Sequence, residues 1–215
     1  MQSNLSDYRK SYEKGVLEEV HLPDNPLQLF DQWFKEVEKS GGVDEVNAMT
    51  ISTIGLDGFP KSRVVLLKEY KEEGFCFYTN YISEKGKAIA ENSKVCLSFF
   101  WSNLQRQVIV KGEAKKLTEA ESTAYFAKRP RGSQIGAWAS AQSTEITSRA
   151  VLEEKTVFFE EKFKDQTIPK PPHWGGYMVK PISLEFWQGR PNRLHDRIRY
   201  TQQHNNAWKH NRLAP

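Results

Sequence analysis

Between Ala48 and Leu117 the chain runs as strand-like segments separated by hairpin-length turns and one short helical stretch, and this spacing constrains the fold more than any other feature. In "NAMTISTIGLDGFPKSRVVLLKEY" the residues from Ala48 to Ile54 alternate, Asp57-Gly58 signals a hairpin, and Arg63 to Leu67 resume as a strand. "GFCFYTN" reads as a third strand, and "KVCLSFFW" and "RQVIVKGEAKKL" as two more, paired through a turn near Ser102-Asn103. Parallel strands need long crossovers, so connections this short argue for an antiparallel sheet and against a doubly wound one. Many short antiparallel strands with large aromatics suggest a barrel that closes its own edges.

Helices flank these strands. "LQLFDQWFKEVEKSGG" follows Pro23 and Pro26, puts Leu29, Phe30, Trp33, Phe34 and Val37 on one face, and ends at Gly41-Gly42. "SEKGKAIAEN" reads as a short helix capped by Ser83. Thr118 and Glu121 form a capping box before "AESTAYFAKR", which Pro130 stops. "SRAVLEEKTVFFEEKF" is a further helix, "GGYMVKPISLEFWQG" returns to strand, and the tail "AWKHNRLAP" has mixed character. The fold expected is mainly β: an antiparallel barrel with peripheral helices, its core including Phe75, Phe77, Phe99, Phe100 and Phe186.

Composition narrows the function. Mean hydropathy is −0.67, low for 215 residues, and the 12% aromatic content compensates because each ring buries much apolar area. A net charge of +4 is too mild for a dedicated nucleic-acid binder. Cys76 and Cys96 lie in apolar runs and read as core thiols, not a disulfide. The histidines at 21, 173, 195, 204 and 210 lack metal-site spacing, so no metal is expected. "MQSNLSDYRKSYEKG" has no apolar signal-peptide core and no run has transmembrane length, so a cytoplasmic protein is expected. Nucleophile-elbow, Walker and dinucleotide-binding motifs are absent. An enzyme with so little apparatus of its own borrows its reactivity from a cofactor.

The cations are concentrated at element ends. Arg63 and Lys68 bracket "RVVLLK"; Lys85 and Lys87 lie in the first turns of a helix whose N-terminus can itself hold phosphate; Arg129 and Arg131 flank Pro130, with Ser133 following. In "LEFWQGRPNRLHDRIR" a strand-like run leads into a tight loop carrying Arg190, Arg193, His195, Arg197 and Arg199. Two phosphate sites account for this pattern better than one, since Arg suits bidentate phosphate contacts. Trp187, where strand meets basic loop, could wall a flat ring, and Tyr78-Thr79-Asn80 and Gln142-Ser143 offer polar groups to a ligand. A phosphorylated, ring-bearing cofactor summarises these signals.

"LEFWQGRPNRLHDR" resembles the C-terminal signature of the pyridoxine 5′-phosphate oxidase family, Leu-Glu-Phe-Trp-Gln, four residues, then Arg-Leu-His-Asp-Arg. "YRKSYEKG", "LPDNPLQLF", "SRVVLLK", "FYTN", "RQVIVKG", "YFAKRPRGSQIGAWAS" and the terminal "RLAP" extend the resemblance along nearly the whole chain. It implies an FMN-binding split β-barrel homodimer with FMN at the subunit interface. The enzyme expected oxidises pyridoxine and pyridoxamine 5′-phosphates to pyridoxal 5′-phosphate with oxygen, giving hydrogen peroxide, and ammonia from the amine. Residues 1–25 would be a mobile N-terminal segment, and 26–215 one domain that includes the C-terminal signature region 171–215.

On the same resemblance, Arg63, Val64, Val65, Leu66, Leu67, Lys68, Tyr78, Thr79, Lys85, Gln107, Gln142, Ser143, Trp187 and Arg197 would bind FMN. Lys68, Tyr125, Arg129 and Ser133 would hold the substrate phosphate. Arg193, Leu194 and His195 would lie against the pyridine ring, with Arg193 and His195 catalytic; His195 would take the alcohol proton or position it. Arg9, Lys10, Ser11 and Tyr12 would form a lid. The sequence departs from the family where Arg-Lys is usual: the pair here is Glu84-Lys85, and Glu84 is expected to point away while Lys87 partly substitutes. Two rival readings stay open, another flavin-binding split-barrel reductase and a non-catalytic pyridoxal phosphate carrier.

Overall fold

The computed structural model describes residues 4–8 and 10–215. Among them are five α-helices: α1 (Pro26–Ser40), α2 (Glu84–Glu91), α3 (Glu119–Ala127), α4 (Arg131–Ala139) and α5 (Ala150–Lys162). The strands are β1 (Ala48–Ile54), β2 (Pro60–Leu66), β3 (Glu69–Lys71), β4 (Gly74–Asn80), β5 (Lys94–Trp101), β6 (Arg106–Lys116), β7 (Trp174–Gln188), β8 (Asp196–Gln202) and β9 (Trp208–Arg212). Their order in the sheet is β2-β1-β5-β6-β7-β4-β3, with β8 pairing with β7 and β9 with β8. The pairings β3–β4, β4–β7, β7–β8 and β8–β9 are all antiparallel.

The chain divides into two compact units. The first comprises the N-terminal residues to Thr50, Leu97–Lys111 and Pro181–Pro215; the second, Ile51–Cys96 and Gly112–Lys180. In the first unit, the Asn25 side chain caps α1 by accepting from Leu27 N–H, and Gly41 ends the helix with a positive φ of 66°. The buried α1 stripe Leu29, Phe30, Trp33 and Val37 carries large rings: Phe30 meets Phe99 edge-on at 5.1 Å, and Trp33 meets Phe186 at 5.3 Å. Arg106 covers Trp33 at 4.4 Å and pairs with Glu36.

In the second unit the β4 pattern is buried on both faces, and β4 pairs with β7 from Phe75↔Val179 to Asn80↔Trp174. A satellite cluster of Phe126, Ile135, Phe163, Ile168 and Trp174 packs α3 and α4. The Thr118–Glu121 capping box starts α3, which stops at Ala127, ahead of Pro130. Ser83 caps α2 by accepting from Gly86 N–H at 3.3 Å. Glycine is required at position 86 because a Cβ there would overlap the Tyr81 carbonyl, so α2 begins tight against the end of β4.

Several expectations are corrected. Arg197 and Arg199 lie not on a loop but on β8, where Ile198 and Tyr200 alternate with them and are fully buried. Phe100 is not core: it is 59% exposed, on the face of β5 opposite Phe99 and Trp101. The strand through Arg63 begins three residues earlier, at Pro60. Cys76 is buried, as expected, but Cys96 is only half-buried, on the face of β5 opposite Val95 and Leu97; both are free thiols.

Candidate active site

The second unit contains a cavity of about 860 Å³. Its walls bring together Arg63, Val64, Val65, Leu66, Lys68, Tyr78, Thr79, Lys85, Tyr125, Arg129, Ser133, Gln142 and Ser143, thirteen of the residues expected to bind ligands. Leu67 is the exception within its run: its side chain is buried at 3% exposure and does not line the cavity.

One part of the cavity wall is built on Lys85. The ammonium is 7% exposed and donates to Thr79 Oγ1 at 3.0 Å and Gln142 Oε1 at 3.1 Å, neutral acceptors that leave its charge unbalanced. Burial, then the positive charge of Arg63, pushes its pKa down to about 8, with Glu84 opposing. Arg63 Nη1 donates to Thr53 Oγ1 on β1 and to Lys61 O, both at 2.8 Å, and burial lowers its pKa also. Two desolvated cations without a bonded carboxylate among the described residues constitute a site for an anion.

A second part of the wall is built on aromatic stacking. Tyr78 lies on Tyr125 with ring centroids 3.8 Å apart and on Trp174 at 5.4 Å, all within 12° of parallel. Arg129 follows α3, and its guanidinium sits 4.6 Å above Trp174. Its Nη1 is buried with no hydrogen-bond partner among the described residues, and burial lowers its pKa. Next to it, Pro130 precedes α4 without any side-chain cap, and Ser133 stands in the first turn. Arg131 faces elsewhere, donating to the carbonyls of Gln166 at 3.1 Å and Phe163 at 2.6 Å, so of the two arginines flanking Pro130 only Arg129 lines the cavity.

The expectation for Glu84 is corrected. It does not point away: it lines the cavity and binds Lys61 Nζ through both oxygens, at 2.7 and 2.6 Å. Lys87 is exposed and lines nothing here, whereas Lys61, not anticipated, does. The signal for Lys61 was present, since side chains two apart on a strand share a face and Lys61 stands two before Arg63. Lys128 was also missed as a lining residue, whereas Asn80, which the sequence offers to a ligand with Tyr78 and Thr79, does line the cavity.

The first unit gathers a separate group. Tyr12, Trp187 and His195 pack ring on ring, His195 at 4.7 Å from Trp187 and at 5.8 Å from Tyr12. Gln105 Oε1 accepts the backbone N–H groups of Glu13 at 2.9 Å and Lys14 at 3.1 Å, fixing the segment behind Tyr12. His195 Nδ1 accepts from Arg190 N–H at 3.0 Å, which puts the proton of the neutral ring on Nε2. Burial, then Arg193, lowers its pKa, against a raising influence of Asp196. Asp196 in turn receives Arg190, Leu17 N–H and Arg212, and Arg212 clasps Glu19. Asn192 and Arg193 both have left-handed backbone, φ 56° and 63°, and Arg193 and Leu194 are exposed. Arg197 donates to Glu185 at 2.9 and 2.8 Å and to Ala214 O at 2.8 Å, and Gln107 donates to Ser98. Lys10 and Ser11 precede Tyr12; Arg9 lies outside the described residues.

The cavity wall combines buried Lys85, half-buried Arg63 and Arg129, hydroxyl and amide groups, and aromatic rings, a lining that suits a phosphorylated ligand with a flat ring. Among the described residues no cluster of His, Cys, Asp and Glu could hold a metal, and no helix is long and apolar enough to cross a membrane.

The profile of the family described as pyridoxamine 5′-phosphate oxidase matches residues 37–157, and that of a pyridoxine 5′-phosphate oxidase C-terminal dimerisation region matches 174–215. Proteins named pyridoxine/pyridoxamine 5′-phosphate oxidase are similar throughout. The one from Flavobacterium johnsoniae is 60% identical, covering 99% of both chains, and that from Christiangramia forsetii 52%, covering 100% of both. Among solved structures, PhzG from Burkholderia lata, in complex with tetrahydrophenazine-1-carboxylic acid, superposes with a TM-score of 0.87 at 28% identity, over 96% of this chain and 100% of that one. A pyridoxamine 5′-phosphate oxidase-related, FMN-binding protein from Nostoc punctiforme has a TM-score of 0.71 at 13% identity, over 90% and 100%, a likeness of fold alone. The fold is the antiparallel split barrel with helices that the sequence led us to expect. Matched by profile at both ends and by named relatives along its whole length, the chain belongs to the pyridoxamine 5′-phosphate oxidase family.

Proposed function

We propose that this protein oxidises pyridoxine 5′-phosphate and pyridoxamine 5′-phosphate to pyridoxal 5′-phosphate, with FMN as bound cofactor and molecular oxygen as final acceptor. Two electrons and two protons leave the substrate and reach oxygen as hydrogen peroxide; the amine also takes up water and releases ammonia. The observation that carries this reading is one cavity wall bearing two cationic groups, Lys85 with Arg63, and Arg129, whose buried Nη1 has no hydrogen-bond partner among the described residues. Two phosphate-bearing ligands held in this cavity would satisfy both groups.

Arg63, Lys85, Thr79, Gln142 and Ser143 would hold the FMN phosphate, with Val64 to Lys68, Tyr78, Gln107, Trp187 and Arg197 completing the cofactor set. Leu67 would take part through its backbone only. When bound, FMN supplies the hydride acceptor that the side chains lack. Lys68, Tyr125, Arg129 and Ser133 would bind the substrate phosphate and so fix the ring's position, the proximity term that dominates such catalysis. His195, proton on Nε2, would donate a hydrogen bond to the substrate oxygen and orient it; in this tautomer Nε2 cannot accept the alcohol proton. Arg193 would present positive charge to the substrate ring, and Leu194 apolar contact. Lys10, Ser11 and Tyr12, with Arg9, would cover the ring and exclude water.

Two copies would pair through the C-terminal dimerisation region, with FMN at the interface. The exposed Phe100 and Ile182 of the first unit supply apolar surface for such pairing. We place the reaction in the cytoplasm, since phosphorylated substrates do not cross a bilayer unaided.

The test is anaerobic. The protein is loaded with FMN, pyridoxine 5′-phosphate is added, and the flavin's visible absorbance is followed. Bleaching, reversed by air as pyridoxal 5′-phosphate and peroxide appear, is the expected result. Bound flavin that stays oxidised with both substrates would refute the proposal.

A further inference from the structure

Glu84 is the sole carboxylate among the described residues that line the cavity. It occupies the first position of α2, beside Lys85 and on the wall that carries Arg63. An acidic group in the first turn suits the positive end of a helix, which accounts for its tolerance by the fold. For a ligand the consequence is opposite, because a carboxylate beside Lys85 repels a phosphate dianion.

Both Glu84 oxygens accept from Lys61 Nζ, at 2.7 and 2.6 Å. Lys61 comes from β2, on the strand face it shares with Arg63. The pair is half exposed, with side-chain exposures of 56% and 44%, and such pairs add little to folding stability. Its principal effect therefore falls on the charge that the cavity presents. Removing the Lys61 side chain leaves Lys61 O in place as an acceptor for Arg63, so the Arg63–Lys85 group keeps its geometry.

We infer that Lys61 determines cofactor affinity and selectivity: by neutralising Glu84 it lets the Arg63–Lys85 group take a flavin bearing a phosphate monoester in preference to one ending in a neutral hydroxyl. This rests on the FMN reading above. Lys61 is an electrostatic partner of the phosphate site through Glu84, without any requirement for direct contact with the ligand.

The test uses the full chain stripped of flavin, with dissociation constants for FMN and for riboflavin read from flavin fluorescence. Lys61→Met should weaken FMN about tenfold while changing riboflavin less than about twofold. Lys61→Met combined with Glu84→Gln should return FMN affinity to within about threefold of the parent, because the repulsive charge has gone too. The melting temperature should move by no more than about 2 °C in either variant. Unchanged FMN affinity in Lys61→Met, equal losses for both flavins, or a double variant as weak as the single one would each overturn the inference. A parent protein that binds FMN no better than riboflavin would overturn the phosphate reading itself, and this inference with it, before any substitution is made.

Discussion

Arg190 donates its backbone N–H to Nδ1 of His195 at 3.0 Å, and that bond can exist only while the ring is neutral. Protonation at Nδ1 would set donor against donor. The lowered pKa of His195, from burial and then Arg193, acts in the same direction. A ring titration followed by proton NMR should therefore show a midpoint below the ordinary 6.5, with the neutral form carrying its proton on Nε2. The unfolded chain binds this proton more readily than the folded one. The site's contribution to stability is thus complete above pH 6.5 and is lost as pH falls from there toward the lowered folded value. His195→Asn retains an N–H donor, so kcat should fall only about tenfold, against the hundredfold or more expected from losing a general base.

Lys85 gives a pH dependence of the opposite kind. With a folded pKa of about 8 against an ordinary 10.5, the ligand-free protein loses its main cation in this part of the cavity wall through the mildly alkaline range. With the phosphate a dianion from about pH 7 upward, flavin phosphate affinity should fall by up to about tenfold per pH unit above 8, as measured by fluorescence titration. Folding shows the reverse sign: the cost of burying the ammonium is present below pH 8 and is relieved between about 8 and 10.5, where the unfolded chain still holds the proton. Lys85→Met should cost about 2–3 kcal/mol of FMN binding and abolish this alkaline limb.

Arg129 sets binding against stability. Its buried Nη1 has no hydrogen-bond partner among the described residues, so the ligand-free fold carries a desolvated donor. Arg129→Met keeps much of the packing over Trp174 and removes that donor. Ligand-free melting should be unchanged or raised, by about 1 kcal/mol, while KM for either phosphorylated substrate rises about a hundredfold. Calorimetry beside steady-state kinetics separates the two effects; a protein markedly less stable without ligand would mean that Arg129 serves the fold first.

Much of this architecture was legible because local rules and tertiary packing agree. Thr118 and Glu121 form the capping box their spacing implies, and β1 alternates as its sequence does. Where reading failed, residue chemistry hid the period. In "DRIRYTQ" the charged residues suggested a loop, yet Ile198 and Tyr200 are the buried alternate positions of a strand. Phe100 looked like core because it is aromatic, but Phe99 and Trp101 already hold the inward face. Two glycines and a preceding proline concealed α4. At the site, side chains on neighbouring elements could be assigned by resemblance, but the Lys61–Glu84 pair spans 23 positions between β2 and α2 and only folding reveals it.

The seat of Tyr12 makes the last prediction. Gly189 lies so close beneath the tyrosine that a Cβ there would stand 2.7 Å from Tyr12 Cδ2. Gly189 is not held by a positive φ, so any side chain would be tolerated by the backbone and refused only by the ring above it. Gly189→Val should therefore displace Tyr12 from Trp187 and His195 while leaving the Gly189 N–H bond to Gln105 O intact. If Tyr12 covers the substrate ring, the variant should raise KM about tenfold with a smaller change in kcat, and proteolysis at Lys10 or Lys14 should quicken. Gln105→Ala, which removes the acceptor of Glu13 and Lys14 without touching the ring contact, should reproduce the proteolytic sensitivity. Unaltered kinetics in Gly189→Val, alongside faster cleavage, would show that the segment is seated there but does not cover the substrate.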